Sequence, residues 1–143
     1  MNIYPDTSLL VSLYVPDAHS AAAEERMRLR PRCWLTPLHR AEWAHAIERL
    51  VFQGQLSRHR ASQARSDFED DRAAGVWSEM SLPELIFELS IQLANRHAAR
   101  LGNRTLDTLH VASALELKAD RFWTFDDRQG KLARAEGLST NGF

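Results

Sequence analysis

Three aspartates in this chain stand where apolar segments begin or end. Asp6 follows the short extended stretch Asn2 to Pro5 and precedes Thr7, Ser8 and the helical run Leu9, Leu10, Val11 and Leu13. Asp107 lies in the first turn of a helix opening at Thr105, within RTLDTLHVASALELKADRFWTFDD, Arg104 to Asp127. That helix is apolar over most of its circumference (Leu106, Leu109, Val111, Ala112, Ala114, Leu115, Leu117), so it packs under a sheet rather than on the surface. After a turn at Lys118 to Asp120, a strand from Arg121 to Thr124 leads to Asp126, with Asp127 beside it. Loops at the carboxyl ends of parallel strands form the crevice where ligands bind, and Asp6 and Asp126 are both expected there. Each also has an ordinary reading: Asp6, Asp126 and Asp127 suit helix caps, and Asp107 suits the positive end of a helix dipole.

The elements that must position them alternate between strand and helix. His19 to Leu29 reads as a helix ended by Pro31, and Arg32 to Leu35 as the second strand. Thr36 and Pro37 form a cap and first position for a helix carrying Leu38, Trp43, Ala46, Ile47 and Leu50, with Gly54 as its stop. Ser57 caps a polar helix running to about Ala74, and Val76 to Met80 is the third strand candidate. Ser81 to Glu84 fits a capping box for a helix with Leu82, Ile86, Leu89 and Leu93 on one face, ended by Gly102. A last helix, Asp127 to Glu136, stops at Gly137, and Leu138 to Asn141 adds a short edge strand. Strands alternating with helices imply parallel pairing and a three-layer α/β/α sandwich.

Composition bounds the function classes. At 143 residues the chain fits one domain, spanning 1–143. No apolar run approaches the roughly 20 residues of a membrane span, and no basic and apolar leader opens the sequence, so the cytoplasm is expected. The lone Cys33, in RCWLT, reads as a buried, inert thiol. The formal net charge of -1 does not advertise nucleic-acid binding. Its distribution says more: apart from Lys118 and Lys131 the basic side chains are arginines, grouped at Arg26 to Arg32, Arg58 to Arg65 and Arg96 to Arg104. Arginine presents a planar fork matched to phosphate oxygens, although intrahelical pairs such as Glu24 and Glu25 with Arg28 explain part of the pattern.

Four segments in order, DTSLLV, AEWAHAI, LDTLHVASAL and WTFDD, resemble the PIN-domain family of metal-dependent ribonucleases, and more narrowly the VapC-type toxins of toxin–antitoxin modules. The resemblance covers nearly the whole chain. It implies a five-stranded parallel sheet with the first strand near its middle, and convergence of Asp6, Glu42, Asp107 and Asp126 into one acidic pocket. Hard oxygen donors of this kind suit Mg²⁺ or Mn²⁺. The resemblance makes Asp6 and Asp107 the direct ligands and Asp126 the residue completing the shell, while Glu42 orients water or holds a second ion. The ion would polarise a scissile phosphate and acidify a bound water, leaving a 5′-phosphate and a 3′-hydroxyl.

Ser8 matches the small hydroxyl the family places beside the first aspartate, and His110, one helical turn after Asp107, reads as a supporting or packing group. By the same resemblance the protein is a dimer, silenced by a VapB-type antitoxin whose C-terminal segment covers the groove, and it cuts RNA needed for translation, transfer or ribosomal. Apolar helix surface around Trp43 and Phe52 is expected to serve one of these interfaces, unless both are core. One departure stands out: Pro5 replaces the usual aliphatic residue before the first aspartate, so the strand is expected to stop early. Four close carboxylates would repel in the absence of a cation, so Asp107→Asn is expected to stabilise the metal-free protein.

Other readings fare less well. His39, Glu42 and His45 do not make a helical zinc site, because six residues turn the second histidine about 120° from the first. A phosphatase of the haloacid dehalogenase type would want a second aspartate where Ser8 stands, and a receiver domain a late lysine that neither Lys118 nor Lys131 supplies. The alternative from another class is a PIN-like module that binds RNA or a protein partner without catalysis.

Overall fold

The computed structural model describes residues 1–140 as a sheet between two helical layers. Five parallel strands lie in the order β3-β2-β1-β4-β5, with β1 (Asn2–Pro5) between β2 (Arg32–Leu35) and β4 (Arg121–Trp123). The outer strands are β3 (Trp77–Glu79) and β5 (Ser139–Thr140). The chain winds outward from β1 through β2 to β3, then returns to lay β4 on the other side of β1. Helices following β1 and β4 therefore leave in opposite directions, which opens a crevice between the two strand ends.

Alternation along the strands builds a core on each face. Ile3, Cys33, Leu35 and Trp123 face one apolar layer, completed by residues of α1 (Thr7–Tyr14), α2 (Ser20–Met27), α3 (Pro37–Phe52) and α4 (Arg58–Ala73). Tyr4 and Phe122 face the other, packed by α5 (Leu85–Leu93), α7 (Thr105–Glu116) and α8 (Asp127–Ala135). The expected three-layer sandwich and central first strand are both present.

Several local expectations need correction. Pro5 does not cut β1 short: it pairs with Trp123, and the Asp6 N–H continues the ladder to the Trp123 carbonyl at 2.8 Å. Pairing of β1 with β2 involves Asn2 and Ile3, and the Pro5 carbonyl accepts instead from His39 Nε2 at 2.7 Å. A proline at the end of a strand is tolerated where its nitrogen has no partner to lose. The Ser81 capping box does not form; α5 starts at Leu85, and Glu84 at its N-cap makes no side-chain cap bond. The same rod contains a π-helical turn, Ala94–Ala98, before the short α6 (Ala99–Leu101) and Gly102, whose φ of 69° ends it. Insertion of that turn aims Arg96 and His97 at Glu136 on the end of α8, at 2.9 and 2.7 Å. Trp43 is only 2% exposed and cannot serve an interface, whereas Phe52 is 92% exposed. Asn141, the expected end of the last strand, lies outside the described residues.

Candidate active site

Asp6 ends β1 and begins α1, and its carboxylate does both jobs at once. Oδ1 accepts from the Leu9 N–H at 2.8 Å, capping α1, while Oδ2 accepts from Ser8 Oγ at 2.9 Å and Thr124 Oγ1 at 2.6 Å. The residue has no exposed surface. Burial pushes its carboxyl above the usual carboxylate range, and the bonds from Thr124, Leu9 and Ser8 only partly pull it back. Thr124 also accepts from the Asp126 N–H at 2.8 Å, so one hydroxyl at the end of β4 ties Asp6 to the loop carrying Asp126.

Asp126 is exposed and caps α8 through Oδ1, which accepts from Gln129 N at 3.0 Å. Asp107, half-buried in the first turn of α7, accepts from the Arg104 N–H through Oδ2 at 2.8 Å. Both acids are thus helix-end residues, as their ordinary reading says, and among the described residues each has one oxygen left without a hydrogen bond.

Glu42 stands in the middle of α3, where a glutamate is usually solvated. Here its Oε1 accepts from Thr7 Oγ1 at 2.8 Å and meets His110 Nε2 in a short hydrogen bond. His110 is buried on α7, and its Nδ1 lies 2.7 Å from the hydroxyl of Tyr4 on β1. Burial would raise the Glu42 carboxyl, but the hydrogen bond and charge of His110, together with Thr7, bring it below its ordinary value. His110 therefore supports Glu42 rather than Asp107. His39 is also a core group: Nδ1 accepts from Thr36 N at 2.9 Å, which leaves Nε2–H to donate to Pro5. Burial, then the nearby His110, hold it well below its ordinary value, so it is neutral and plays no part in a zinc site.

Glu42, Asp107 and Asp126 line one cleft of about 780 Å³ at the switch between β1 and β4, with Ser8, His45, Arg49 and Arg104 on its walls. Asp6 lies beneath it and reaches it through Ser8 and Thr124. Among the described residues no three His, Cys, Asp or Glu side chains are already grouped as ligands of one ion. The donor set nonetheless fits a hard cation. Mg²⁺ binds through one or two carboxylates and keeps several waters, so it needs no closed cage. Gln129 Oε1, on a residue that lines the cleft, is buried with no hydrogen-bond partner among the described residues, an oxygen of the type such an ion or its water would satisfy.

Of the residues expected from the sequence, Ser8, Glu42, Asp107 and Asp126 line this cleft while Asp6 is buried; Tyr4, Thr7, Thr124 and Gln129, which support or line it, were not foreseen. The signal for Thr124 is a hydroxyl at a strand end two residues before an acid; Thr7 stands in the first motif and Tyr4 two residues before it.

The family model of the PIN domain matches residues 3–135. The chain belongs to the PIN-domain family. It is 30% identical over 139 residues to Ribonuclease VapC46 of Mycobacterium tuberculosis, covering 96% of this chain and 94% of that protein, which places it with the VapC-type members. Among solved structures, the sarcin-ricin loop cleaving toxin VapC20 of M. tuberculosis superposes with a TM-score of 0.69 at 19% identity, covering 95% of each chain. VapBC2 of Rickettsia felis, bound to a DNA fragment from its promoter, gives 0.71 at 14% identity, covering 99% of this chain and 98% of that one. These two likenesses concern the PIN fold. Among the described residues no helix is long and apolar enough to cross a membrane.

Proposed function

We propose that this PIN-domain protein is a divalent-metal-dependent endoribonuclease toxin of the VapC type, hydrolysing phosphodiester bonds in an RNA used in translation. The carrying observation is that acids from three separate elements, Glu42, Asp107 and Asp126, line one cleft over a fourth, Asp6, that is buried beneath it. Asp6 and Asp107 would hold Mg²⁺, or Mn²⁺ in its place, with Asp126 completing the shell. When bound, the ion supplies Lewis-acid activation of the phosphate and of an attacking water.

The chain's own residues set the rest. Thr124 and Ser8 fix the Asp6 carboxylate, and the helix-cap bonds of Asp107 and Asp126 fix one oxygen of each while leaving the other toward substrate. Glu42, kept ionised and pinned by His110 and Thr7, orients a water or holds a second ion. Arg49 and Arg104 on the walls suit the phosphates flanking the scissile one. The apolar wall formed by Leu38, Leu50 and Leu106 suits the chain segment of a VapB-type antitoxin, with the toxin itself a homodimer.

The test is cleavage of end-labelled transfer RNA and total RNA by purified protein in Mn²⁺ or Mg²⁺ and in EDTA. Cation-dependent fragments bearing 5′-phosphates, lost in Asp107→Asn, are expected. Binding without cleavage, unchanged by that substitution, would instead make the protein a binding module and overturn the proposal.

A further inference from the structure

The wall of the cleft next to Asp126 carries a pile of planar groups that the acid chemistry does not use. Phe125 immediately precedes Asp126, and the imidazole of His19 lies flat on its ring, with centroids 4.5 Å apart and planes 6° from parallel. The guanidinium of Arg26 stands 4.8 Å from the centre of the same phenyl ring and 5.6 Å from that of Trp123. His19 is exposed and lines the cleft, whereas Phe125 does not. The imidazole therefore covers the phenyl ring and gives the pile its outer surface.

The turn bearing His19 is pinned as well. Its N–H donates to Asp17 Oδ1 at 2.8 Å, and Asp17 Oδ2 accepts from Ser12 Oγ of α1 at 2.8 Å. A surface side chain held flat by a stack beneath it and a turn behind it has already lost the rotamer freedom that binding would otherwise remove.

We infer that His19 is a stacking platform for one unpaired nucleobase of the substrate, that of a nucleotide adjoining the phosphate held at the acids. This deepens the nuclease reading above and rests on it. A phosphodiester brought to Asp126 must lay a neighbouring base against the walls, and His19 offers a planar π-surface there, where Leu38, Leu50 and Leu106 offer apolar contact without a plane. Every base has a π-face, so such a contact tolerates sequence while demanding that the base be out of a duplex stack. The platform thus selects single-stranded or looped RNA.

The experiment measures binding of a short single-stranded RNA containing a fluorescent base analogue, in EDTA so that nothing is cut, and the KM and kcat of its cleavage in Mn²⁺. The full-length native protein is compared with His19→Ala, His19→Tyr and His19→Lys. His19→Ala is expected to weaken single-strand binding by about 5- to 150-fold, the range found for loss of one base–aromatic stack, and to raise KM with kcat nearly unchanged. His19→Tyr should restore affinity and His19→Lys should not; an abasic nucleotide at the sensitive position should make His19→Ala silent. If His19→Ala also lowers the melting temperature, the Tyr and Lys pair decides. Lysine restoring binding as well as tyrosine would mark a phosphate contact and overturn the platform. Metal-dependent cleavage by native protein with no effect of His19→Ala would overturn the platform alone and leave the nuclease standing. Native protein that neither binds nor cuts RNA would remove both.

Discussion

The floor and the rim of the cleft solve opposite problems with the same residue type. Asp6 on the floor is fully buried and takes hydrogen bonds on both oxygens, whereas Asp126 on the rim is exposed and engages one oxygen in a cap. Glu42 joins the two regions, half-buried and held from below by His110 and Thr7. The difference separates geometry from response. Floor groups are fixed by buried hydrogen bonds and set where negative charge sits; rim groups keep an unbonded oxygen and contact with solvent.

Substitutions should expose this contrast first as stability. His110→Ala removes a buried ring and one hydrogen-bond partner from each of Tyr4 and Glu42, so urea unfolding should show a loss of about 3 kcal/mol. Thr124→Val, close in shape, deprives Asp6 of a donor and the Asp126 N–H of its acceptor; a loss of about 2 kcal/mol is expected, together with impaired cleavage. On the rim, Asp126→Ala should cost only about 1 kcal/mol, the usual value of a helix N-cap, although it too should impair cleavage. Equal losses at floor and rim would break the comparison.

The floor also makes a pH prediction in metal-free protein. Asp6 has a raised value, so the folded state holds the extra proton above about pH 4, and stability falls as pH rises through the folded value. His39 has a lowered value, so the unfolded state holds the extra proton below about pH 6.5, and stability is lost as pH falls from there. Over the range they share, the two slopes oppose each other. Asp6→Asn should therefore unmask the histidine, and its stability should drop on acidification by up to about 1.4 kcal/mol per pH unit, while native protein stays flatter. Indistinguishable pH profiles would mean that Asp6 is not the buried acid described. The smallest effect belongs to Cys33, whose thiol burial pushes up to about 12; it should resist alkylation until the protein unfolds.

What could be read in the sequence followed the range of the interactions. The parallel α/β sandwich, the central β1 and the shared cleft of Glu42, Asp107 and Asp126 were legible because alternation and motif order are local or family-wide signals. The failures came from contacts across the fold. The link from Tyr4 through His110 to Glu42 joins residues 106 and 68 positions apart, which no spacing rule reveals. The π-helical turn serves the ion pairs of Arg96 and His97 with Glu136, again a tertiary matter. Pro5 misled because its local meaning, a broken strand, is overridden by pairing with Trp123 of β4, while His39 takes its carbonyl. Repulsion among the acids points to Asp107→Asn, and burial points to Asp6→Asn, as substitutions that stabilise the metal-free protein.

The most direct test of the central claim, that buried Asp6 and the rim acids form one cation site, is melting temperature against Mn²⁺ concentration for native protein and Asp6→Asn. Asp6→Asn is expected to start higher without metal and stay level, while native protein rises with added ion by mass action. Equal rises in both proteins, or none in the native one, would contradict it.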